Sequence, residues 1–359
     1  MPTPSISPLR IGVLGCANIA KAFVRDAATS PQVRITAVAS RDAAKAAAFA
    51  ASFKLDRHFA SYEALLADAE IDAIYLPLPN SLHAEWAIKA AQHGKHVLCE
   101  KPLALGRAEA QAMFDVARAN GVMMLEAYPY WFQPQTADML ALLHGGAIGD
   151  VRYVQASFGF TLPNAPGNIR LNHELGGGAL LDAGSYPMSL IRLVMGSAPQ
   201  RVQAHAGWAG GGGGAGNDDV DMSLMATLLW ADGRRAQLSC AMDAGNHRRA
   251  SIIGSGGVIE TEYLNHTSYQ PQGHPLGFQP SQLRLRRGTA FGAPFEDIRS
   301  GVGSGFRFAA EAFARLVAER DAAAMDRAAQ ASLDIAATLE AMARSARSGL
   351  VVEVRAAGD

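Results

Sequence analysis

Over the first third of the chain, short apolar runs alternate with amphipathic, alanine-rich stretches. The runs predict strands that are buried on both faces, and the stretches between them predict helices. Strands that alternate with helices are typical of a doubly wound parallel sheet. The predicted strands are 9–14, 33–40, 73–76, 95–99 and 122–125, and the predicted helices lie at 18–28, 42–53, 62–67, 82–93 and 107–120.

From residue 126 the pattern changes to successive short strand candidates with no helix between them, which is typical of an antiparallel sheet. The candidates are 150–160, 202–208, 222–229, 235–242, 251–253, 258–261 and 351–354, with helices at 135–144, 306–319 and 322–346. The polar, Pro- and Gly-rich stretch 265–300 is long for a connection and predicts an excursion on the substrate side or at an interface. We therefore expect an α/β domain over 1–125 and an α+β domain with a large, mostly antiparallel open sheet over 126–359.

The composition suits a two-domain protein, since the 359 residues are 49% hydrophobic and 18% charged. A formal net charge of -1 predicts neither a nucleic acid nor an anionic membrane as partner. No apolar run approaches the roughly 18 residues of a membrane helix, and the first ten residues lack the apolar core of a signal peptide. Cys16, Cys99 and Cys240 lack metal-ligand spacing, so we expect a cytoplasmic protein with neither disulfides nor a metal.

A glycine turn follows the first predicted strand in the pattern G-x-A-x-x-A. Small residues at Gly15, Ala17 and Ala20 allow a tight turn, and a helix N-terminus there offers N–H groups to a phosphate. This pattern predicts the doubly wound Rossmann sheet of dinucleotide-binding proteins, with Asn18 and Ile19 also at the cofactor. An alanine-rich packing turn without a ligand is the alternative.

The end of the second predicted strand bears on the choice of cofactor. An acid there would bind the ribose hydroxyls of NAD, but this chain has Ser40 and Arg41. A hydroxyl and a guanidinium suit a 2′-phosphate, so we predict NADP and keep NAD as the alternative. Asp42 is predicted to cap the following helix.

A lysine stands directly after the predicted strand 95–99, within Glu100–Lys101–Pro102. The carboxyl edge of an open α/β sheet is where ligands bind. Pro102 keeps Lys101 out of a helix and is compatible with a cis bond. An ordinary surface lysine is the alternative.

A second group of candidate residues lies in the glycine-rich segment 176–187. If residues 180–186 form a helix, Asp182 and Tyr186 share one face at i, i+4. A carboxylate and a phenol there could orient a substrate hydroxyl and exchange its proton. The alternative is that Asp182 begins a helix and Tyr186 belongs to the core.

Four segments together resemble the Gfo/Idh/MocA family, that is, the glucose-fructose oxidoreductase, inositol dehydrogenase and rhizopine-catabolism proteins. The segments are 15–20, Pro79 to His83, 94–102 and 176–186. The resemblance implies that Lys101 is catalytic, that Asp182 and Tyr186 form the acid/base group, and that no metal is needed. It also implies that Pro79, Asn80, His83, Glu100 and Lys101 contribute to the cofactor site.

Tyrosine at 186 resembles the branch of D-xylose dehydrogenase, dihydrodiol dehydrogenase and sugar ketoreductases, although Trp131 stands where that branch often has a basic residue. The resemblance implies hydride transfer between nicotinamide and a carbinol or carbonyl carbon of a sugar or cyclic diol. It further implies a homodimer or homotetramer formed through the C-terminal sheet. A non-catalytic dinucleotide-binding regulator on the same fold remains the alternative.

Overall fold

The computed structural model describes residues 7–163, 167–209, 219–268, 275, 277–280 and 282–354. These residues fall into two compact units. The first unit contains the chain up to Ala104, Ala108–Phe132 and Ser304–Gln330. The second unit contains Leu105–Arg107, Gln133–Gly303 and the chain from Ala331 onward.

The strands of the described chain include the predicted ones and several further short strands. They are β1 (Leu9–Leu14), β2 (Val33–Ala39), β3 (Arg57–Phe59), β4 (Ala73–Leu76), β5 (His96–Glu100), β6 (Met124–Ala127), β7 (Val151–Thr161), β8 (Arg201–Trp208), β9 (Asp221–Leu229), β10 (Arg235–Ala241), β11 (Asp243–Gly254), β12 (Gly257–Thr261), β13 (His266–Ser268), β14 (Gln279–Pro280), β15 (Leu283–Arg287), β16 (Glu296–Ile298), β17 (Gly303–Ser304) and β18 (Val352–Glu353).

The α-helices also match the predicted pattern. They are α1 (Asn18–Ala27), α2 (Ala43–Phe53), α3 (Tyr62–Leu66), α4 (His83–Gln92), α5 (Arg107–Ala119), α6 (Pro134–His144), α7 (Ser185–Met195), α8 (Gly305–Glu319) and α9 (Ala322–Ser348). Asp42 caps α2 as predicted, because its carboxylate accepts a hydrogen bond from the backbone N–H of Lys45 at 3.1 Å.

The first unit is a six-stranded parallel sheet in the order β3-β2-β1-β4-β5-β6. The strand order reverses between β1 and β4, and ligands of such sheets bind outside the carboxyl ends of the strands at this point. Strands β1, β2, β4 and β5 of this sheet are almost wholly buried, as their continuous apolar runs predicted. The predicted doubly wound sheet is confirmed.

The first unit differs from the predicted division at residue 126 in two respects. It continues to Phe132, and it also includes the later segment Ser304–Gln330. Helix α8 packs on α1 within this unit, where Phe306 and Phe313 are buried. The hydroxyl of Ser304 donates a 2.6 Å hydrogen bond to Asp26 of α1. A single boundary drawn along the sequence cannot show that a later segment belongs to the first unit.

The second unit is built on a nine-stranded sheet in the order β16-β15-β12-β11-β7-β10-β9-β8-β18. Its neighbouring strands are antiparallel except for the parallel pair of β7 and β10. The predicted large, mostly antiparallel sheet is confirmed. Helix α7 packs against β7 and β10 and covers one face of this sheet.

Two stretches of the second unit contain more strand than the sequence predicted. Strand β11 extends from Asp243 and is far longer than the predicted 251–253, because its first half is polar and carries no apolar signal. The stretch 265–300 contains strands in its described part, and β15 pairs with β12 through the alternating sequence L-R-L-R-R. Residues 269–274, 276 and 281 of this stretch lie outside the described chain.

Candidate active site

The turn after β1 has the shape of a phosphate cradle. Gly15 has φ +115°, and its backbone N–H donates to the carbonyl of Ala39 at 2.9 Å. A Cβ on Gly15 would lie 2.9 Å from Cδ2 of Leu78, so no larger residue fits without a shift. Helix α1 begins after Ala17 with no side-chain cap, which leaves its first N–H groups suited to an anion.

Exposed side chains surround this cradle in the first unit. Asn18 and Ile19 open α1, and 39% of Ile19 is exposed although it is apolar. Ser40 is buried after β2, and its hydroxyl accepts from the N–H of Asp42 at 3.2 Å. Arg41 next to it is exposed. The residues predicted for the pyrophosphate and the 2′-phosphate thus lie at the ends of adjacent strands β1 and β2.

Tyr62 is a residue of this region that the sequence argument missed. Its phenol oxygen lies 3.9 Å from the position of a Cβ on Gly15. Its ring packs edge-on against Trp86 at 4.8 Å. Burial raises the pKa of Tyr62, and the guanidinium of Arg41 opposes this rise through its charge and a hydrogen bond. The only sequence feature that indicates a role for Tyr62 in this region is its position at the start of a helix after β3.

The loops after β4 and β5 are tied together by a histidine. His83 is fully buried, with Nδ1 2.9 Å from the carbonyl oxygen of Pro102 and Nε2 2.9 Å from that of Leu78. Burial lowers the pKa of His83, and the two carbonyls oppose this effect. His83 therefore joins the two loops and offers no surface to a ligand, so the predicted direct contact with the cofactor is not favoured. Pro79 and Asn80 precede it, and Asn80 begins a 3₁₀ turn.

Lys101 follows β5 and is joined to Pro102 by a cis peptide bond, as the sequence allowed. Its backbone N–H donates to Oε2 of Glu100 at 3.3 Å. Beyond the proline, the N–H of Leu103 donates to Oε1 of Glu126 on β6 at 2.9 Å. Two buried carboxylates therefore fix the backbone on both sides of Lys101.

The glycine-rich segment of the second unit is held by a carboxylate from β9. Gly178 has φ +107°, and a Cβ on it would lie 2.3 Å from Oδ1 of Asp221. The other oxygen of Asp221 accepts from the N–H of Leu180 at 2.6 Å. Burial raises the pKa of Asp221 to about 6, against the lowering effect of the Leu180 N–H. This acid fixes the start of the helix that carries Asp182.

Residues 180–186 do not form the single α-helix that the i, i+4 argument assumed. Leu180–Gly184 is a π-helical turn, and α7 begins at Ser185. Gly184 lets this turn pack closely on β10, since a Cβ there would lie 2.9 Å from Sγ of Cys240. Such turns occur often at functional sites.

Asp182 pairs with an arginine that the sequence argument missed. Nε of Arg170 donates to Oδ2 of Asp182 at 2.6 Å. The side chain of Arg170 is 41% exposed and that of Asp182 is 18% exposed. The ion pair holds the carboxylate of Asp182 in one orientation close to solvent. This pairing explains the position of the carboxylate without the alternative role of a simple helix start.

Tyr186 is enclosed by three further side chains of the second unit. Its ring meets Phe158 edge-on at 5.4 Å and 87°. Cζ of Arg248 lies 4.2 Å from the ring centroid. Nδ2 of Asn265 lies 3.5 Å from the phenol oxygen. Sequence patterns gave no signal for Arg248 or Asn265, because both lie in a stretch that resembles polar surface.

The predicted residues thus form two groups. The first unit brings together the cradle, the Ser40 and Arg41 turn, and Lys101, and the second unit brings together Asp182 and Tyr186. Within the described residues, no group of three or more His, Cys, Asp and Glu side chains could hold a metal. No helix of the described chain has both the length and the apolar character of a membrane span.

Two family profiles match the chain. The first is described as an oxidoreductase family with an NAD-binding Rossmann fold and matches residues 9–128. The second is described as the GFO/IDH/MocA C-terminal domain and matches residues 136–260.

Curated proteins and solved structures are similar over most of the chain. D-xylose 1-dehydrogenase (NADP(+)) 2 of Haloferax volcanii is 33% identical and covers 96% of this chain and 100% of that protein. Trans-1,2-dihydrobenzene-1,2-diol dehydrogenase of Xenopus tropicalis is 34% identical, and the match covers 69% of this chain and 74% of that protein. A 3-ketoreductase from Actinomadura kijaniata, whose structure was solved with NADP and TDP-benzene, is 30% identical and has a TM-score of 0.80. The match covers 94% of this chain and 98% of that chain.

Proposed function

The chain belongs to the Gfo/Idh/MocA family of oxidoreductases, and we propose that it uses NADP to interconvert an alcohol and a carbonyl group on a sugar or a cyclic diol. The resemblance predicted from the sequence motifs is therefore confirmed. One observation carries the proposal most directly. Lys101 and the Gly15 cradle both lie at the carboxyl edge of the sheet of the first unit.

The cofactor site uses residues of the first unit that suit the group. The uncapped N-terminus of α1 and the close approach at Gly15 suit a pyrophosphate. The exposed guanidinium of Arg41 and the hydroxyl of Ser40 suit a 2′-phosphate, which favours NADP over NAD. The proposed cofactor residues are Gly15, Ala17, Asn18, Ile19, Ser40, Arg41, Pro79, Asn80, Glu100 and Lys101, with His83 acting through the loops that it joins.

The chemistry is proposed for Lys101, Tyr186 and Asp182. When bound, the cofactor gives or takes the hydride. Tyr186 exchanges the proton of the substrate hydroxyl as general acid or base. Lys101 donates a hydrogen bond to the reacting oxygen and favours negative charge there. Asp182, held by Arg170, accepts a hydrogen bond from a substrate hydroxyl and orients the ring.

Catalysis is favoured over a purely regulatory role. A dinucleotide-binding regulator would need the cradle but not an ordered lysine, acid and phenol. The similar curated proteins named above are dehydrogenases, and the chain keeps Lys101, Asp182 and Tyr186. Their named substrates are a pentose and a cyclic diol, which is the substrate class that we propose.

We also propose that a second copy covers the outer face of the nine-stranded sheet, in a homodimer or homotetramer. This face has a concavity of about 570 Å³. The residues that line it include Gln155, Gln203, Met225 and Thr227, and Met225 is 69% exposed. A methionine exposed among mostly polar residues is typical of an interface. Light scattering on Met225→Arg would show a monomer if this face pairs.

A cytoplasmic location is proposed from the thiols. Cys16, Cys99 and Cys240 are free, and burial raises the pKa of Cys99 and Cys240 well above the usual range. Buried neutral thiols persist in a reducing compartment.

The experiment that tests the activity is a substrate panel. Aldoses, cyclic diols and dTDP-sugars are mixed with the protein and NADP or NAD, and the absorbance of the reduced cofactor is followed in both directions. We expect turnover with a sugar or diol and with NADP in preference to NAD. Tight NADP binding without turnover across the panel would instead support the regulator.

A further inference from the structure

The guanidinium of Arg248 lies between two aromatic rings of the second unit. Cζ is 4.1 Å from the ring centroid of Phe158 and 4.2 Å from that of Tyr186. Phe158 on β7 and Arg248 on β11 are directly opposite in the strand register, so the sheet itself sets the contact. The position of the cation beside the phenol is therefore fixed by the backbone of two paired strands.

No carboxylate neutralises this cation within the described chain. The hydrogen bonds of its guanidinium go to neutral oxygens, namely Oδ1 of Asn265 at 3.1 Å and the carbonyl of Tyr263 at 3.4 Å. By contrast, the next residue along the strand, Arg249, pairs with Glu262. Arg248 consequently keeps its full positive charge against the face of the Tyr186 ring.

The same contacts determine how Asn265 faces Tyr186. A guanidinium has only donors, so the amide oxygen of Asn265 must point at Arg248. The amide nitrogen then points at the phenol oxygen, which it meets at 3.5 Å. The backbone oxygen of Asn265 accepts from the side chain of Gln133, which anchors the residue. Asn265 is thus a donor to Tyr186.

We propose that Arg248 is a positioning residue that, together with Asn265, prepares the phenol of Tyr186 for proton exchange. The inference rests on the proposed function. When the phenol gives its proton to a reacting carbonyl oxygen, negative charge develops on the ring oxygen. The donor amide and the unpaired cation over the ring stabilise that charge. When a substrate hydroxyl is oxidised, its proton returns to the same oxygen.

This role differs from packing in a way that kinetics can measure. A group that acts only through Tyr186 lowers kcat when it is removed and leaves the KM values for sugar and NADP almost unchanged. Its effect also disappears when the phenol is absent. Of the two arginines near this group in the second unit, Arg248 lies over the ring of Tyr186, whereas Arg170 pairs with Asp182.

The test compares Arg248→Met, Arg248→Lys and Asn265→Asp with the wild type, each also in the Tyr186→Phe background. Arg152→Met is the matched control, because Arg152 is an exposed arginine on β7 that pairs with Asp150. We expect Arg248→Met to lower kcat about tenfold, with both KM values changed less than about twofold. Arg248→Lys should recover part of the loss, and Arg152→Met should behave as the wild type.

In the Tyr186→Phe background, Arg248→Met should change the residual kcat by less than about twofold. Asn265→Asp removes the amide donor without removing the arginine, so it tests the same network if Arg248→Met does not fold. Wild-type kcat in both variants would overturn the inference, as would an equal loss with and without the phenol. A raised KM for the sugar with kcat unchanged would show a substrate contact instead. An inert wild type would overturn the proposed function, whereas an active wild type with unaffected variants overturns this inference alone.

Discussion

The phenol of Tyr75 donates a 2.6 Å hydrogen bond to Oε1 of Glu100, and both side chains are buried. Tyr75 lies in β4, and Glu100 is the last residue of the neighbouring strand β5. The ring of Tyr75 stacks on Phe23 at 3.7 Å, which fixes the phenol. Since the other oxygen of Glu100 accepts from the backbone of Lys101, this hydrogen bond supports the backbone that carries the proposed catalytic lysine.

We expect Tyr75→Phe to lower the free energy of unfolding by about 1–3 kcal/mol, because a buried carboxylate loses a hydrogen-bond donor. Urea denaturation measures the change. Tyr153→Phe is the matched control, since the phenol of Tyr153 donates to Gln237 at the exposed surface of the sheet. An equal loss of unfolding free energy in the two variants would show that the hydrogen bond to Glu100 stabilises the fold no more than an exposed one does.

Lys101→Ala tests the assignment of the lysine. We expect kcat to fall by about 10²–10⁴, because the donor to the reacting oxygen is lost. The dissociation constant of NADP, measured by fluorescence titration, should stay close to that of the wild type. Lys89→Ala, which removes an exposed lysine paired with Glu85, should leave both quantities unchanged. A wild-type rate in Lys101→Ala would refute the proposed role.

Arg41→Ala tests the choice of cofactor. A charge-assisted hydrogen bond to a phosphate contributes about 1.5–3 kcal/mol, so the dissociation constant of NADP should rise roughly 10- to 150-fold. Binding of NAD, which lacks the 2′-phosphate, should change little. Arg34→Ala on β2 is the control, because Arg34 is exposed and pairs with Asp56. Equal weakening of NADP and NAD binding would place Arg41 elsewhere in the cofactor site.

The parts of the fold with strong periodicity could be predicted from the sequence. The strands β1 and β4 begin and end as predicted, because apolar runs bounded by glycine, proline or polar residues leave little ambiguity. Strand β11 was predicted at only three of its positions, since Asn246 to Arg249 look like a polar loop. Their pairing with β7 is a tertiary effect that no local pattern records.

The candidate site was predictable only where a motif fixed it. Lys101 and Gly15 stand next to strand ends, and the chemistry of such positions is general. Arg248, Arg170 and Asp221 reach the segment 180–186 from other parts of the second unit and have the local sequence of ordinary surface charges. Their roles follow from strand register and burial, which appear only once the chain is folded.

Asp221 should make stability depend on pH in an unusual direction. Its folded-state pKa of about 6 lies above the usual aspartate pKa of 3.8. As pH rises from about 4 to 6, the unfolded chain therefore loses this proton before the folded chain does, and the free energy of unfolding falls. The shift corresponds to at most about 3 kcal/mol, fully lost above about pH 6.

Asp221→Asn removes this dependence, because the amide oxygen still accepts from the N–H of Leu180 but does not ionise. We expect the variant to lose less stability than the wild type between about pH 4 and pH 7, measured by urea denaturation at each pH. Asp150→Asn, at an exposed carboxylate, should keep the wild-type profile. If Asp221→Asn also keeps that profile, the buried acid is not the source of the dependence. If it is also less stable than the wild type by the same amount at every pH, the carboxyl group holds the glycine-rich turn below Asp182 and Tyr186 through its hydrogen-bonding geometry and not through its charge.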